Sequence, residues 1–118
     1  MSLTFYNQSG TPVIYTEDDE HLYDFDGNPI AYFSGKSVYN YSGRHLGWVE
    51  NGWIKDSRGN CFLFSENATG GPLQPLKKLK PLKGLKKLKP LKGLKQLKPL
   101  KPLSTLNWSL HTVDDFFN

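Results

Sequence analysis

An eleven-residue pattern occurs four times in the first 64 residues, and it constrains the fold more than any other feature of the chain. The copies occupy residues 5–15, 22–32, 38–48 and 54–64. Each has an apolar residue at position 1, Asn or Asp at position 3, glycine at position 6, Val, Ile, Leu or Phe at position 9 and an aromatic at position 11. An Asx side chain accepts hydrogen bonds from the following backbone, and glycine adopts a left-handed conformation without strain. Because a type I turn followed by such a glycine closes a hairpin, each copy predicts a β-hairpin.

The alternation of side chains along a strand assigns the repeat positions to two faces. Positions 1, 9 and 11 are predicted to share the core face: Phe5, Val13, Tyr15; Leu22, Ile30, Tyr32; Val38, Leu46, Trp48; and Ile54, Phe62, Phe64. Positions 2 and 8 should oppose each other on the other face: Tyr6 with Pro12, Tyr23 with Pro29, Tyr39 with His45, and Lys55 with Cys61.

The four hairpins must share one core, since a two-stranded hairpin alone is marginal. Their linkers are only five or six residues long, which keeps successive hairpins adjacent. The expected fold is therefore all-β, with four β-hairpin repeats in a pseudo-four-fold rosette; an open meander is the alternative.

A family resemblance agrees with this fold. The repeat pattern, the stretch Leu-Gly-Trp-Val-Glu-Asn-Gly-Trp at residues 46–53 and the Gly-Gly-Pro-Leu at residues 70–73 resemble the bacterial four-fold beta flower proteins. The resemblance covers most of the chain, and the Lys/Leu run is its least typical part. It implies a fold and brings no activity, so no functional residues are carried over.

A leucine stands at every third residue from Leu73 to Leu103, nearly always followed by lysine, and prolines recur on a nine-residue grid at 72, 81, 90 and 99. We call residues 71–103 the leucine ladder; it separates the head, residues 1–70, from the C-terminal segment, residues 104–118. A period of three fits neither the α-helix nor the strand, and the prolines would break a helix. It matches polyproline II, which places the leucines on one edge and the lysines on another. The ladder is expected to be extended, polyproline II-like or solenoidal.

The ladder's leucines need cover. Straight, the ladder would reach ~95 Å, so it either wraps the head, turning at Gly84 and Gly93, or projects from it. Burying each leucine contributes roughly 1.5–3 kcal/mol, and the expected cover is the same ladder from other chains. We expect a homo-oligomer, a three-chain stalk or intertwined solenoid being favoured over a dimer. Its predicted interface residues are Leu76, Leu79, Leu82, Leu85, Leu88, Leu91, Leu94, Leu97 and Leu100.

Charge offers competing interpretations of the ladder. The head carries nine acidic and four basic side chains, whereas the ladder has eleven lysines and no acid, so the two parts can attract each other. Nucleic acid binding through the lysines is an alternative, but the run has no aromatics for stacking and no arginine for base recognition. Membrane binding is disfavoured because the prolines prevent an amphipathic helix. A disordered solubilising tail is the remaining alternative.

The head contains one candidate ligand site. Trp48, Trp53, Tyr39 and Tyr41 could form an aromatic site for a sugar or a choline-like cation, with the two tryptophans facing each other across the turn at Asn51-Gly52. Packing between strands is the simpler interpretation of these rings. The acidic linker at residues 16–21 is expected to be solvated or to bind lysines, since its spacing does not match a calcium loop.

No catalytic arrangement, metal site or cofactor motif is recognised in the sequence. Gly35-Lys36-Ser37 lacks the upstream glycine and the helix of a phosphate loop, and the three histidines and the one cysteine have no catalytic or ligand spacing. We therefore expect a non-catalytic assembly or interaction protein. The first residues lack the features of a signal peptide, which predicts a cytoplasmic location. At the C-terminal end, residues 106–111 are expected to form a strand, followed by a helical turn capped by Thr112.

Overall fold

The computed structural model describes residues 2–118 and shows a closed barrel of eight antiparallel strands. The strands are β1 (Leu3–Tyr6), β2 (Pro12–Thr16), β3 (His21–Asp24), β4 (Pro29–Ser34), β5 (Ser37–Asn40), β6 (His45–Glu50), β7 (Trp53–Lys55) and β8 (Cys61–Ser65). Each strand pairs with the next, and β8 pairs with β1 to close the barrel. The four repeats are the hairpins β1–β2, β3–β4, β5–β6 and β7–β8, which confirms the all-β rosette. The molecule is a flat body of 36 × 35 × 24 Å.

The hairpin loops have the predicted chemistry. In the first loop the Asn7 side chain accepts from the backbone N–H groups of Ser9 and Thr11 at 2.9 and 3.0 Å. Gly10 donates to the Asn7 carbonyl at 2.9 Å and has φ of 79°. Equivalent backbone bonds and positive φ values occur in the other three loops.

A β-bulge in every hairpin changes which side chains point inward. The strand register shifts after position 1 in all four copies. As a result position 1 opposes position 10, and these pairs fill the barrel: Phe5 with Ile14, Leu22 with Ala31, Val38 with Gly47, and Ile54 with Leu63. The predicted core was right for position 1 and wrong for position 11, because the extra bulged residue reverses the alternation of the second strand.

The aromatics at position 11 lie on the outside of the barrel instead. Each pairs with position 2 of the next hairpin: Tyr15 with Tyr23, Tyr32 with Tyr39, Trp48 with Lys55, and Phe64 with Tyr6. The four predicted pairs of positions 2 and 8 are confirmed. The prediction that Trp48 faces Trp53 is wrong, because Trp53 opposes Glu50 in the short hairpin at Asn51-Gly52.

A short helix, α1 (Val113–Phe117), packs against the barrel core. Thr112 caps it as predicted, in a capping box with Asp115. Phe116 stacks on Phe62 with ring centroids 4.2 Å apart, and Phe117 also joins the core cluster. The position 9 residues pack in this cluster together with the helix.

The predicted C-terminal strand is reduced to one parallel bridge between Trp108 and Cys61. Leu106 and Leu110 are 72% and 96% exposed, so they form no buried face with Trp108. No neighbouring strand extends the pairing, because β8 already bonds β1 and β7 on its two sides.

The leucine ladder wraps around the barrel of its own chain. One backbone amide in every nine residues donates to the carbonyl of a hairpin's loop glycine. The four bonds, of 2.8–3.1 Å, run from Lys78 to Gly10, Lys87 to Gly27, Gln96 to Gly43 and Thr105 to Gly59. Gly84 and Gly93 add bonds of 2.7 Å to the carbonyls of Phe25 and Tyr41. The ladder therefore makes one circuit, in which each nine-residue unit binds one hairpin, and it does not project as a free stalk.

The loop glycines leave no room for a side chain beneath the ladder. A Cβ on Gly27, at φ of 91°, would lie 2.0 Å from the Leu85 carbonyl oxygen. Gly35 has φ of 60° but nothing within 4 Å of its Cβ position. We expect Gly35→Ala to cost about 1–2 kcal/mol from left-handed strain alone. Gly27→Ala should cost roughly 2–5 kcal/mol because it also displaces the ladder backbone.

Urea unfolding of both variants measures this difference. Equal losses for Gly27→Ala and Gly35→Ala would contradict the close approach of the ladder to the hairpin loops.

Candidate interaction surface

The surface that the ladder covers consists of four grooves between neighbouring hairpins. Each groove pairs position 11 of one hairpin with position 2 of the next. In chain order of the ladder, the first groove holds Phe64 and Tyr6, the second Tyr15 and Tyr23, the third Tyr32 and Tyr39, and the fourth Trp48 and Lys55. We number the ladder units from their prolines at 72, 81, 90 and 99, with proline as unit position 1.

Lysines at unit position 6 lie over rings of the first three grooves, and lysines at unit position 3 lie over rings of the second and third grooves. Lys83 lies 4.4 Å from the centroid of Tyr15, and Lys92 lies 4.3 Å from that of Tyr32. At unit position 6, three lysines lie 5.1–6.0 Å from position 2 rings: Lys77 over Tyr6, Lys86 over Tyr23 and Lys95 over Tyr39. Each such cation–π contact contributes ~0.5–2 kcal/mol, more where water is excluded.

Carboxylates at the ends of the strands bind several of the ladder lysines. Glu17 forms ion pairs with Lys83 and Lys86. Lys92 lies 3.0 Å from Glu20, and Lys80 lies 2.7 Å from Glu66. The acidic linker therefore binds ladder lysines, one of the two roles expected for it.

These ion pairs lower the pKa values of the carboxylates. Hydrogen bonds from Lys86 and Lys83 lower the pKa of Glu17, and the bond from Lys92 lowers that of Glu20. Hydrogen bonds from Lys101, Lys55 and Ser104 lower the pKa of Glu50 to about 2. The lysines keep these carboxylates ionised, and hydrogen bonds to Glu66 and Glu17 in turn raise the pKa values of Lys80 and Lys86.

With the lysines turned toward the barrel, the leucines face solvent. All eleven ladder leucines are between 91% and 97% exposed, and Leu106 continues their three-residue spacing at 72%. The three-residue period of the sequence explains the segregation, because residues three apart share an edge and the three edges carry leucine, lysine and a mixed set of Pro, Gly, Lys and Gln. The surface is a band of leucines that encircles the barrel.

Both ends of the circuit meet at Trp53. Its indole N–H donates to the carbonyls of Thr69 and Gly70 at 3.2 Å, where the ladder begins. Trp108, beyond the end of the ladder, packs edge-on against the same ring at 5.4 Å. The ladder is thus fastened at its start and finish on the fourth hairpin.

The predicted interface leucines and the predicted aromatic site have different surroundings. The nine leucines, from Leu76 to Leu100, lie together on the exposed band. Tyr39 and Tyr41 pack with Tyr32, Trp48 packs on His45 at 4.6 Å, and Trp53 belongs to a separate cluster with Phe64. All four candidate rings are at most 9% exposed, so the structure does not bring them together as one open platform.

The sequence reasoning expected lysines to bind the acidic linker, but it missed the tyrosine rings, Glu50 and Glu66 as their partners. The sequence does contain a signal for this binding. The nine-residue unit and the hairpin each occur four times, which indicates that one unit binds one hairpin. Glutamate two residues after the position 11 aromatic, as at Glu17, Glu50 and Glu66, is the matching signal on the barrel.

Two kinds of feature are absent from residues 2–118. No cluster of three or more His, Cys, Asp or Glu side chains has the arrangement of a metal site there. Within the same residues, no helix has the length and apolar character needed to cross a bilayer.

Comparison with known proteins identifies the family. Residues 3–117 match the family model described as 4-fold beta flower protein, so this chain belongs to that family. The match includes the ladder and α1 as well as the four hairpins. Neither the curated proteins nor the solved structures contain a match to the chain. The family is defined by its fold and is not a known enzyme family.

The lowered carboxylate pKa values predict the pH dependence of stability. Glu17, Glu20, Glu50 and Glu66 have folded-state pKa values below the ordinary 4.5, so their contribution is complete above about pH 4.5 and is lost as the pH falls. For Glu50 the loss continues to about pH 2. Thermal unfolding followed by circular dichroism should show Tm falling across this window.

Glu50→Gln should reduce the slope of that decline, because one of the four carboxylates no longer titrates. Asp26→Asn serves as the control, since no ion pair joins Asp26 to a lysine among the described residues. A Glu50→Gln profile as steep as that of the unmodified protein would refute the assignment.

Proposed function

We propose that this protein is a non-catalytic assembly module that forms a homo-oligomer through the leucines of its ladder. The single observation that carries the proposal is the nearly complete exposure of eleven regularly spaced leucines on a folded barrel. Folded monomers rarely expose a continuous apolar patch larger than a few hundred Å². A band of this kind is typical of a surface that another molecule covers.

The geometry of the band favours a second copy as its partner. Leucines three residues apart on polyproline II are ~9 Å apart along the chain, and an identical band offset by half that distance places its leucines in the gaps. Each leucine covered in this way contributes roughly 1.5–3 kcal/mol. Surfaces that are complementary to themselves commonly give closed, symmetric homo-oligomers.

The arrangement of charge supports the same partner and disfavours a polyanion. Lys83, Lys86 and Lys92 are each held by both a ring and a carboxylate of their own barrel. Phosphates would have to compete with these internal partners, whereas two apolar bands can meet without disturbing them. The earlier expectation of three copies rather than two stays a prediction.

Substitution on the band tests the proposal. Leu82, Leu85, Leu88 and Leu91 are each at least 94% exposed, so changing all four to Ser should leave the barrel and its Tm intact. The variant should lose the assembled mass in light scattering at concentrations where the unmodified chain is multimeric. Leu110→Ser is the matched control, because Leu110 is 96% exposed but lies outside the ladder.

Two results would overturn homo-oligomerisation. One is an unmodified chain that is monomeric throughout the accessible concentration range. The other is a four-fold Ser variant with unchanged mass. Leucine-dependent binding of a monomer to anionic vesicles would instead favour a lipid surface as the partner of the band.

A further inference from the structure

The fourth groove departs from the other three in two places at once. At hairpin position 2 the first three grooves have tyrosine, and the fourth has Lys55. At unit position 6 the first three ladder units have lysine, and the fourth has Ser104. At this pair of positions the cation therefore lies on the barrel in the fourth groove and on the ladder in the other three.

The contacts show that these two departures belong together. The Lys55 ammonium donates to the Ser104 hydroxyl at 2.9 Å and lies 3.1 Å from Glu50. Ser104 donates to the same carboxylate at 2.9 Å, and Lys101 also binds it. Lys55 is 7% exposed, so a second ammonium at this place would meet a buried like charge.

The ladder could otherwise bind in more than one register. Its units are nearly identical, and a shift by nine residues places each unit on a chemically similar neighbouring hairpin. The thirteen residues that follow Ser65, from Glu66 to Lys78, can span ~45 Å when extended, whereas the whole molecule with its ladder is 36 Å across. The connection is therefore long enough for the first unit to reach the second hairpin.

We propose that Lys55 and Ser104 determine the register in which the ladder binds the barrel. In the register shifted forward by one unit, Lys95 would take the place of Ser104 and put its ammonium against Lys55. In the observed register Lys95 lies over Tyr39, and the only unit without a lysine at position 6 lies over the only hairpin without a tyrosine at position 2. This assignment concerns binding of the ladder within one chain, so it does not depend on oligomerisation.

The second groove supplies the design of a rescue. There Glu17 binds lysines at unit positions 3 and 6, and Tyr23 lies beneath the second of them. The double variant Lys55→Tyr with Ser104→Lys gives the fourth groove the same set, with Glu50 and Lys101 already present. It should therefore restore the stability that Ser104→Lys alone removes. It should not restore the discrimination between registers, because in the shifted register Lys95 would then also meet a tyrosine ring at position 55.

Disulfide trapping reports the register directly. The Thr105 hydroxyl donates to the Asn60 side chain at 2.7 Å, which makes Asn60→Cys with Thr105→Cys a reporter of the observed register. Asn60→Cys with Gln96→Cys reports the shifted register. The Gln96 amide donates to the Gly43 carbonyl as the Thr105 amide donates to the Gly59 carbonyl, so a shift by one unit brings Gln96 to the fourth hairpin. Both pairs are placed in a Cys61→Ala background, and mass spectrometry of the disulfide-linked peptides measures the yields.

The proposal predicts that Ser104→Lys lowers the ratio of the first disulfide to the second about tenfold or more, given two ammonium groups a few Å apart at low dielectric. The double variant should recover Tm but keep the lowered ratio, since a lysine then lies over a ring at position 55 in either register. The proposal is overturned if Ser104→Lys lowers Tm but leaves the ratio unchanged, which is the result of a merely local stabilising contact. It is equally overturned if the double variant is folded and its ratio returns to that of the unmodified background, because the register would then be determined without Lys55 and Ser104.

Discussion

The attraction between ladder lysines and the outer surface of the barrel determines the rest of the structure. A segment with three residues per turn has three edges, and the edge that binds inward decides which one faces solvent. Lys83 and Lys92 bind tyrosine rings and glutamates together, so the lysine edge lies against the barrel. The leucine edge is left outside as a consequence. Without the rings and carboxylates, burial of leucine would favour the opposite orientation.

The β-bulge of each hairpin makes that attraction available. Without the extra residue, the position 11 aromatics would lie inside the barrel with Phe5 and its equivalents. The bulge reverses the second strand, so Tyr15 and Tyr32 form the outer grooves and small or aliphatic residues such as Ala31 fill the interior. One backbone irregularity, repeated four times, thus supplies both a filled barrel and an aromatic exterior. The four-fold repetition of hairpins is matched by four ladder units, which explains why the circuit closes at Trp53.

The sequence predicts the local structure well and the long-range arrangement only in part. Turn chemistry identifies all four loops because Asx and glycine act within a few residues of each other, and the capping box at Thr112 is local in the same way. The inward side chains of the second strands were misassigned because a bulge reverses the alternation of a strand. No particular residue type marks such a bulge in the sequence. The ladder's period predicts the separation of a leucine edge from a lysine edge, which agrees with the exposure of all eleven leucines. Its inward edge depends on contacts between residues more than 60 positions apart, such as Lys83 with Glu17, which neither segment specifies alone.

The most direct test of this account is amide hydrogen exchange along the ladder, followed residue by residue by NMR. The account predicts slow exchange at Lys78, Lys87, Gln96 and Thr105, whose amides donate to the four loop glycines, and at Gly84 and Gly93. The amides of Leu79, Leu88 and Leu97, which have no backbone acceptor in the described residues, should exchange much faster. This nine-residue alternation would establish a ladder bound unit by unit to the barrel. Uniformly fast exchange from residue 72 to residue 105 would contradict the account, since it would mean that the ladder is a free chain.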